Sequence, residues 1–224
     1  VIPFSSGTTV TVRAVYAPRA VASVMADTSA MSTLEIVYSG TPTYADLVAA
    51  GLKVKAVYDN GDQVDVTSDA AAPTLSGAVA LNGGGGSATP VDTGNLQVAW
   101  GGKTSANFKV KYLNTAAIAV ANVSIAAGGA ISTGFTVSSV SKANVKVGDE
   151  VIVTITQDTA SAFTEASINS TGRSVTSTAG TMSGEEVKVT TEGTATEEAV
   201  VTVKFTVATI TGTPFAVTVT APNP

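Results

Sequence analysis

Short stretches of strict apolar–polar alternation recur along the chain, separated by clusters of Gly, Asn, Asp, Ser and Thr. A period of two marks a strand with one face against a core, and the polar clusters mark turns. In GLKVKAVY (51–58), Leu52, Val54 and Ala56 share one face, and Lys53 and Lys55 share the other. DNG (59–61) follows, and QVDVT then places Val64 and Val66 inward and Asp65 outward. Asn-Gly between such runs predicts a hairpin closed by a type I′ turn, because both residues tolerate positive φ. NLQVAW and ANFKVKYL repeat the pattern. Leu96, Val98 and Trp100 alternate, then Phe108, Val110 and Tyr112, with Gly101 and Gly102 in the turn. Trp100, the only tryptophan, reads as a core anchor.

The alternation divides the chain. TTVTVRAVY (8–16) is strand-like and ends at Pro18, so residues 1–20 read as the last strand of a preceding domain or an N-terminal edge strand. Residues 21–113 read as one small β domain, with NGGGGSATPVDTGN (82–95) as an internal loop. Residues 114–134 are Ala-rich and weakly patterned, and read as a linker with one strand in AIAVANVSI. A second domain, 135–224, opens with strand, turn and strand in FTVSSVSKANVKVGDEVIVTIT, where VKVGDE holds the turn and Val151, Val153 and Ile155 line one face. Further strands are expected at 185–191, 199–207 and 214–221, with Val201, Val203, Phe205 and Val207 inward in the second of these. Regular short strands with turn punctuation predict an all-β fold of two sandwiches in tandem.

Composition narrows the chemistry. Of 224 residues, 44% are hydrophobic but only 5% aromatic and 13% charged, so Thr, Ser and Asn carry much of the surface. Abundant Val and Thr favour strands over helices. The net charge of −5, with 12 scattered Lys and Arg, argues against nucleic acid, which needs clustered cations, and against anionic lipid. No cysteine is present, so disulfides and thiolate metal sites are excluded; no histidine is present, which removes the commonest general base and zinc ligand. The expectation is a non-enzymatic protein without a required cofactor. No apolar run reaches the ~20 residues of a membrane span, so no membrane insertion is expected. The chain begins at Val1 without a signal peptide, and reads as a mature protein or a piece of a longer one.

The run YADLVAAGLKVKAVYDNGDQVDVT, followed by LQVAWGGKTSANFKVKYL, resembles the bacterial immunoglobulin-like modules of surface proteins. The resemblance rests on Gly51, Leu52, Val54, Ala56, Tyr58 and Gly61, and on Val98, Trp100, Gly101, Gly102, Lys103 and Thr104. Trp100 stands where an aromatic, often Tyr, is expected. The match covers about residues 33–113. VSKANVKVGDEVIVTIT resembles the opening strands of many immunoglobulin-like surface modules, without the Cys…Trp…Cys signature of antibody domains. Such modules occur in S-layer proteins, adhesins, cell-wall proteins and phage virion proteins. The resemblance implies two immunoglobulin-like sandwiches in a structural protein of the bacterial cell surface, an S-layer or similar self-assembling array. Its partners would be identical subunits or neighbouring domains, with cell-wall polysaccharide held by a region not present here. An adhesin or carbohydrate-binding module, or a phage tail or capsid decoration protein, is the alternative.

The candidate site residues are carboxylates. Asp59, Asp62 and Asp65 could offer oxygens to Ca2+, but they lack the D-x-D-x-D-G…E spacing, and the Asn-Gly pair makes a plain turn the preferred reading. Asp149 with Glu150, or Asp158, could instead meet a carboxylate of a neighbouring domain around Ca2+, the ion that the resemblance implies. Glu185, Glu186, Glu192, Glu197 and Glu198 form a cluster read as a solvated guard on strand edges. Ser139 and Lys142 make an S-x-x-K match without the S-D-N and K-T-G partners, and Gly83–Gly86 lacks the ending of a phosphate loop. Asn122 and Asn169 begin N-x-[ST] sequons. A Lys–Asn cross-link, as in some pilin domains, would need Lys204 and Asn169 beside an acid in an apolar site.

Overall fold

The computed structural model describes residues 19–76 and 88–224. The strand expected at 8–16 and the glycine run 83–86 lie outside the described residues. Within them the all-β expectation holds, with seventeen strands in several sheets around two apolar cores.

The first core is built by β1 (Val21–Asp27), β2 (Leu34–Val37), α1 (Tyr44–Ala49), β3 (Lys53–Tyr58), β4 (Gln63–Asp65), β5 (Thr74–Ser76), β6 (Val91–Asp92), β7 (Gln97–Trp100), β8 (Lys103–Thr104) and β9 (Lys111–Ala117). One sheet runs β1-β3-β4 and another β5-β7-β8, while β2 and β6 flank the start of β9. The inward set matches the alternation: Leu52 just before β3, Val54 and Ala56 within it, Leu96 and Val98, then Val110 and Tyr112, are all buried. These strands are short, and buried hydroxyls complete their ends. Thr67 Oγ1 accepts from the Val54 N–H at 2.8 Å, Ser105 Oγ from Val98 at 3.1 Å, and Thr93 Oγ1 from Val110 at 3.2 Å. Each satisfies a buried backbone donor that the ladder leaves without a carbonyl.

The first hairpin departs from its expected turn chemistry. In the loop 59–61 only Gly61 has positive φ, at 87°, and its N–H bonds Tyr58 O. This is a three-residue loop, a type I turn followed by a left-handed glycine, and not the type I′ turn expected from Asn-Gly. The type I′ geometry occurs instead at Gly101 and Gly102, φ 56° and 75°, between the paired Trp100 and Lys103. Val66 is buried as expected, but Val64 on the edge strand β4 is 39% exposed. The alternation did not reveal α1. Its signal is a capping box: Thr43 Oγ1 accepts from the Asp46 N–H, and the Asp46 carboxylate accepts from the Thr43 N–H. Leu47 then points one buried side chain into the core.

The second core is built by β10 (Val123–Ile125), β11 (Phe135–Val140), β12 (Asn144–Lys146), β13 (Glu150–Gln157), β14 (Ser174–Ser177), β15 (Gly180–Thr191), β16 (Val200–Ile210) and β17 (Val217–Thr220). One sheet runs β11-β13-β16-β15 and the other β10-β17-β14. Val151, Val153, Ile155, Val201, Val203, Phe205 and Val207 are buried as their alternation requires. They share a core with Val123, Val175, Val217 and Val219 of the other sheet.

Two parts of the segment 114–134, expected as a linker with one strand, are built into these sheets. Residues 114–117 continue β9, and Val123–Ile125 pair in parallel with Val217–Val219. Ile118 and Ile131 are buried in the second core. β9 therefore serves both cores. On one edge it pairs with β6 and then, from Thr115 to Ala117, with β12. On the other it pairs with β2 through Thr115, after which the Phe215 N–H bonds Ala117 O at 2.8 Å. Its inward face reads Tyr112, Asn114, Ala116: Tyr112 belongs to the first core and Ala116 to the second. Asn114, 5% exposed, lies between them with no hydrogen-bond partner for Oδ1.

A buried acceptor without a donor carries its full desolvation cost. The Asn114→Leu substitution, of similar shape, is therefore expected to raise stability by about 1 kcal/mol. Urea unfolding checks this, and a loss of stability would show that Asn114 has a partner in solution.

Candidate functional site

The six carboxylates considered for calcium are dispersed, each with its own partner. Asp62 accepts from Asn60 Nδ2 at 2.8 Å and pairs with Arg19, whose guanidinium lies 4.7 Å from the Tyr58 ring centroid. Hydrogen bonds from Asn60 and Arg19 hold the Asp62 carboxyl below its usual range. Asp59 is 3.5 Å from the Ala20 N–H. Asp65 accepts from the Thr67 N–H at 2.8 Å. Glu150 pairs with Lys204 at 2.7 Å across β13 and β16. Asp158 accepts from the Thr136 hydroxyl at 2.6 Å. Among the described residues no three acidic, histidine or cysteine side chains converge on a metal position.

Asp149 is the most enclosed of the six. It closes the turn between β12 and β13, where Gly148 has φ 90°. Its carboxylate accepts from the Lys146 N–H and from Lys142 Nζ, both at 3.0 Å. Burial pushes its pKa up, but those donors outweigh burial and leave it below the ordinary 3.8. Lys146 reaches across the junction to Glu35 at 2.5 Å, and the four side chains line a polar cleft of about 290 Å³ with Thr115 and Asn144. This engagement of Lys142 by Asp149 also accounts for the S-x-x-K match: Ser139 lies in β11, paired in register with Thr154.

Among the described residues, a heavily bonded polar side chain is one the alternation did not single out. Arg173 donates to the Asn169, Val187, Glu165 and Ile168 carbonyls and to the Glu165 carboxylate. The other Glu165 oxygen accepts from the Val189 N–H at 2.7 Å. The pair ties the loop 163–173 to β15. Burial raises the Glu165 pKa, and Arg173 with the Val189 N–H more than reverses this, leaving it lowered. The only hint in the sequence is an arginine isolated in the Ser/Thr/Gly segment NSTGRSVTS. Beside the loop lies a cleft of about 550 Å³, lined by Glu165, Asn169, Ser170, Arg173 and Pro224.

Trp100 stands at the margin of the first core, half-buried, with its Nε1 enclosed and unpartnered. It lines an open cleft of about 380 Å³ with Ala71, Thr74, Gly101 and Gly102. The Glu185 and Glu186 pair falls where the register of β15 against β16 shifts, next to Gly184 at φ 64°. Lys204 is paired with Glu150, and Asn169 Oδ1 is held by Thr171, so the structure does not bring this lysine and asparagine together. Comparison with protein-family models, with curated proteins and with solved structures found no match.

Two outcomes follow from these contacts. Arg173→Ala leaves several carbonyls and one Glu165 carboxylate oxygen without their donor and is expected to cost about 3 kcal/mol, little of it restored by Lys, which lacks the planar fork. Urea midpoints of the two variants measure this. Asp149 and Glu165 have lowered folded pKa values, so their contribution is present above the ordinary 3.8 and 4.5 and is lost as pH falls through the lower folded values. Asp149→Asn is therefore expected to lower stability at neutral pH and to flatten the loss between about pH 5 and about pH 3. Equal acid slopes in parent and variant would count against the Asp149 contacts.

Proposed function

We propose that this chain is a structural, non-enzymatic piece of a bacterial cell-surface array, with an S-layer first, built from two immunoglobulin-like sandwiches. The observation that carries the reading is β9. One strand is hydrogen-bonded along both edges, first by strands of one core and then by those of the next. Such a junction fixes the relation of two modules without a flexible tether, which is what a repeating lattice needs from its subunit. The resemblance of residues 33–113 to bacterial surface modules supports the same reading. The partners are identical subunits or neighbouring domains outside the cell, and many weak contacts sum through repetition.

A second reading, a carbohydrate-binding module, is favoured by one observation: the half-exposed Trp100 beside small residues in an open cleft. An indole face flanked by Ala and Gly gives a sugar ring a flat apolar platform.

If the modules are coupled through β9, Trp100 fluorescence, which reports the first core, and far-UV circular dichroism, dominated by the second core's longer strands, melt together. Two separated transitions would show that β9 does not couple them. Light scattering and negative-stain microscopy, with and without calcium, test the array. Sheets or large oligomers support it. A monomer in both conditions removes self-assembly by this chain, and quenching of Trp100 by sugars would then favour the second reading.

A further inference from the structure

The two N-x-[ST] sequons are chemically similar in sequence, but the structure treats them differently. Asn122 ends a 3-10 turn, and its sequon serine, Ser124, lies in β10. The Ser124 hydroxyl is engaged by Val217 O at 3.3 Å and by Thr218 Oγ1 at 3.1 Å in the β10–β17 ladder. Its hydroxyl is thus committed to the sheet.

Asn169 lies in the loop that Arg173 holds. Its backbone is fixed from both sides: its N–H donates to Pro222 O at 2.9 Å, and its carbonyl accepts from Arg173 Nε at 3.0 Å. Ser170, Thr171 and Gly172 are exposed, and Gly172 has φ 81°, which turns the chain back toward β14. Asn169 Oδ1 accepts from both the Thr171 N–H, at 2.9 Å, and the Thr171 hydroxyl, at 2.8 Å. Both sequon positions are therefore joined in one local turn. Both of these bonds fall on Oδ1, so neither engages Nδ2. Beside Asn169 is the cleft of about 550 Å³ lined by Glu165, Ala166, Ser170 and Pro224. That volume holds a monosaccharide, and its carboxylate and hydroxyl match sugar hydroxyls.

We propose that Asn169 is an N-glycan attachment site and that the proximal sugar seats in this cleft. In the transfer, Nδ2 forms a bond to the anomeric carbon of a saccharide carried on a polyprenyl diphosphate. The bond from that carbon to the phosphate oxygen breaks, the diphosphate leaves with its electron pair, and one amide proton passes to a base of the transferase. The donor and the transferase come from the host. The inference stands apart from the array reading, since a spacer, an adhesin or a virion module could each carry the glycan.

The test offers the folded chain to a purified single-subunit oligosaccharyltransferase with a lipid-linked oligosaccharide, and reads intact mass and the peptide map. Short peptides spanning each sequon are the unfolded controls. The expected result is one glycan on the folded chain, at Asn169 and not at Asn122, with both peptides accepted. Asn169→Gln loses the added mass while melting as the parent does, and Asn122→Gln keeps it. A folded chain that stays unmodified while the Asn169 peptide is accepted overturns the proposal, as does modification of the folded chain at Asn122 in preference to Asn169. Protection of the modified loop from protease, measured against the unmodified chain, tests the seat: unchanged cleavage would overturn that part.

Discussion

The backbone hydrogen bonding of β9 is the constraint from which the rest of the structure follows. A strand of seven residues is too short to be the middle of two sheets unless its neighbours change along its length. They do: β6 gives way to β12 on one edge, and β2 gives way to the Thr213–Phe215 segment on the other. Every backbone group of a central strand must find a partner, so moving either neighbour exposes polar backbone. The two cores are held by obligatory bonds and not by side-chain contact alone. Tyr38, the residue after β2, adds a direct link, packing against the second core while its N–H bonds Thr115.

The interior alternations were legible because they are physically simple. Where both neighbours of an apolar residue are polar over five or more positions, only a pleated half-buried strand satisfies the pattern. Val201 to Val207 is of this kind, and its inward residues Val201, Val203, Phe205 and Val207 are completely or nearly completely buried. The strand β9 was cut short in the sequence by its own composition. Its inward face passes from Tyr112 through Asn114 to Ala116, so a polar residue interrupts the apolar series where the cores change, and alanines then carry little signal. The same asparagine that hides the strand marks the boundary between cores.

Turn chemistry was legible as position but not as type. Asn-Gly and Gly-Gly both close hairpins here, but loop length, set by the pairing of flanking strands, decides which glycine takes positive φ. The candidate carboxylates were legible as exposed acids. Their partners were not: Arg19 on Asp62 and Lys204 on Glu150 meet only after segments distant in sequence pair, and Lys142 meets Asp149 only once the chain turns through β12. Arg173 shows the limit from the other side, since nothing in its local pattern distinguishes a structural clasp from a solvated cation.

The parallel pairing of β10 with β17 has a mechanical consequence. Residues Val123–Ile125 enter the second core from the junction, and the chain leaves along Val217–Thr220 toward the far end. Tension along the chain pulls the two strands in opposite senses along their common axis. Their hydrogen bonds are then strained together in shear, not opened one after another as in a peeled hairpin. A pulling experiment reads this directly as a single high rupture force for the second core, and a low, gradual one would show that peeling intervenes.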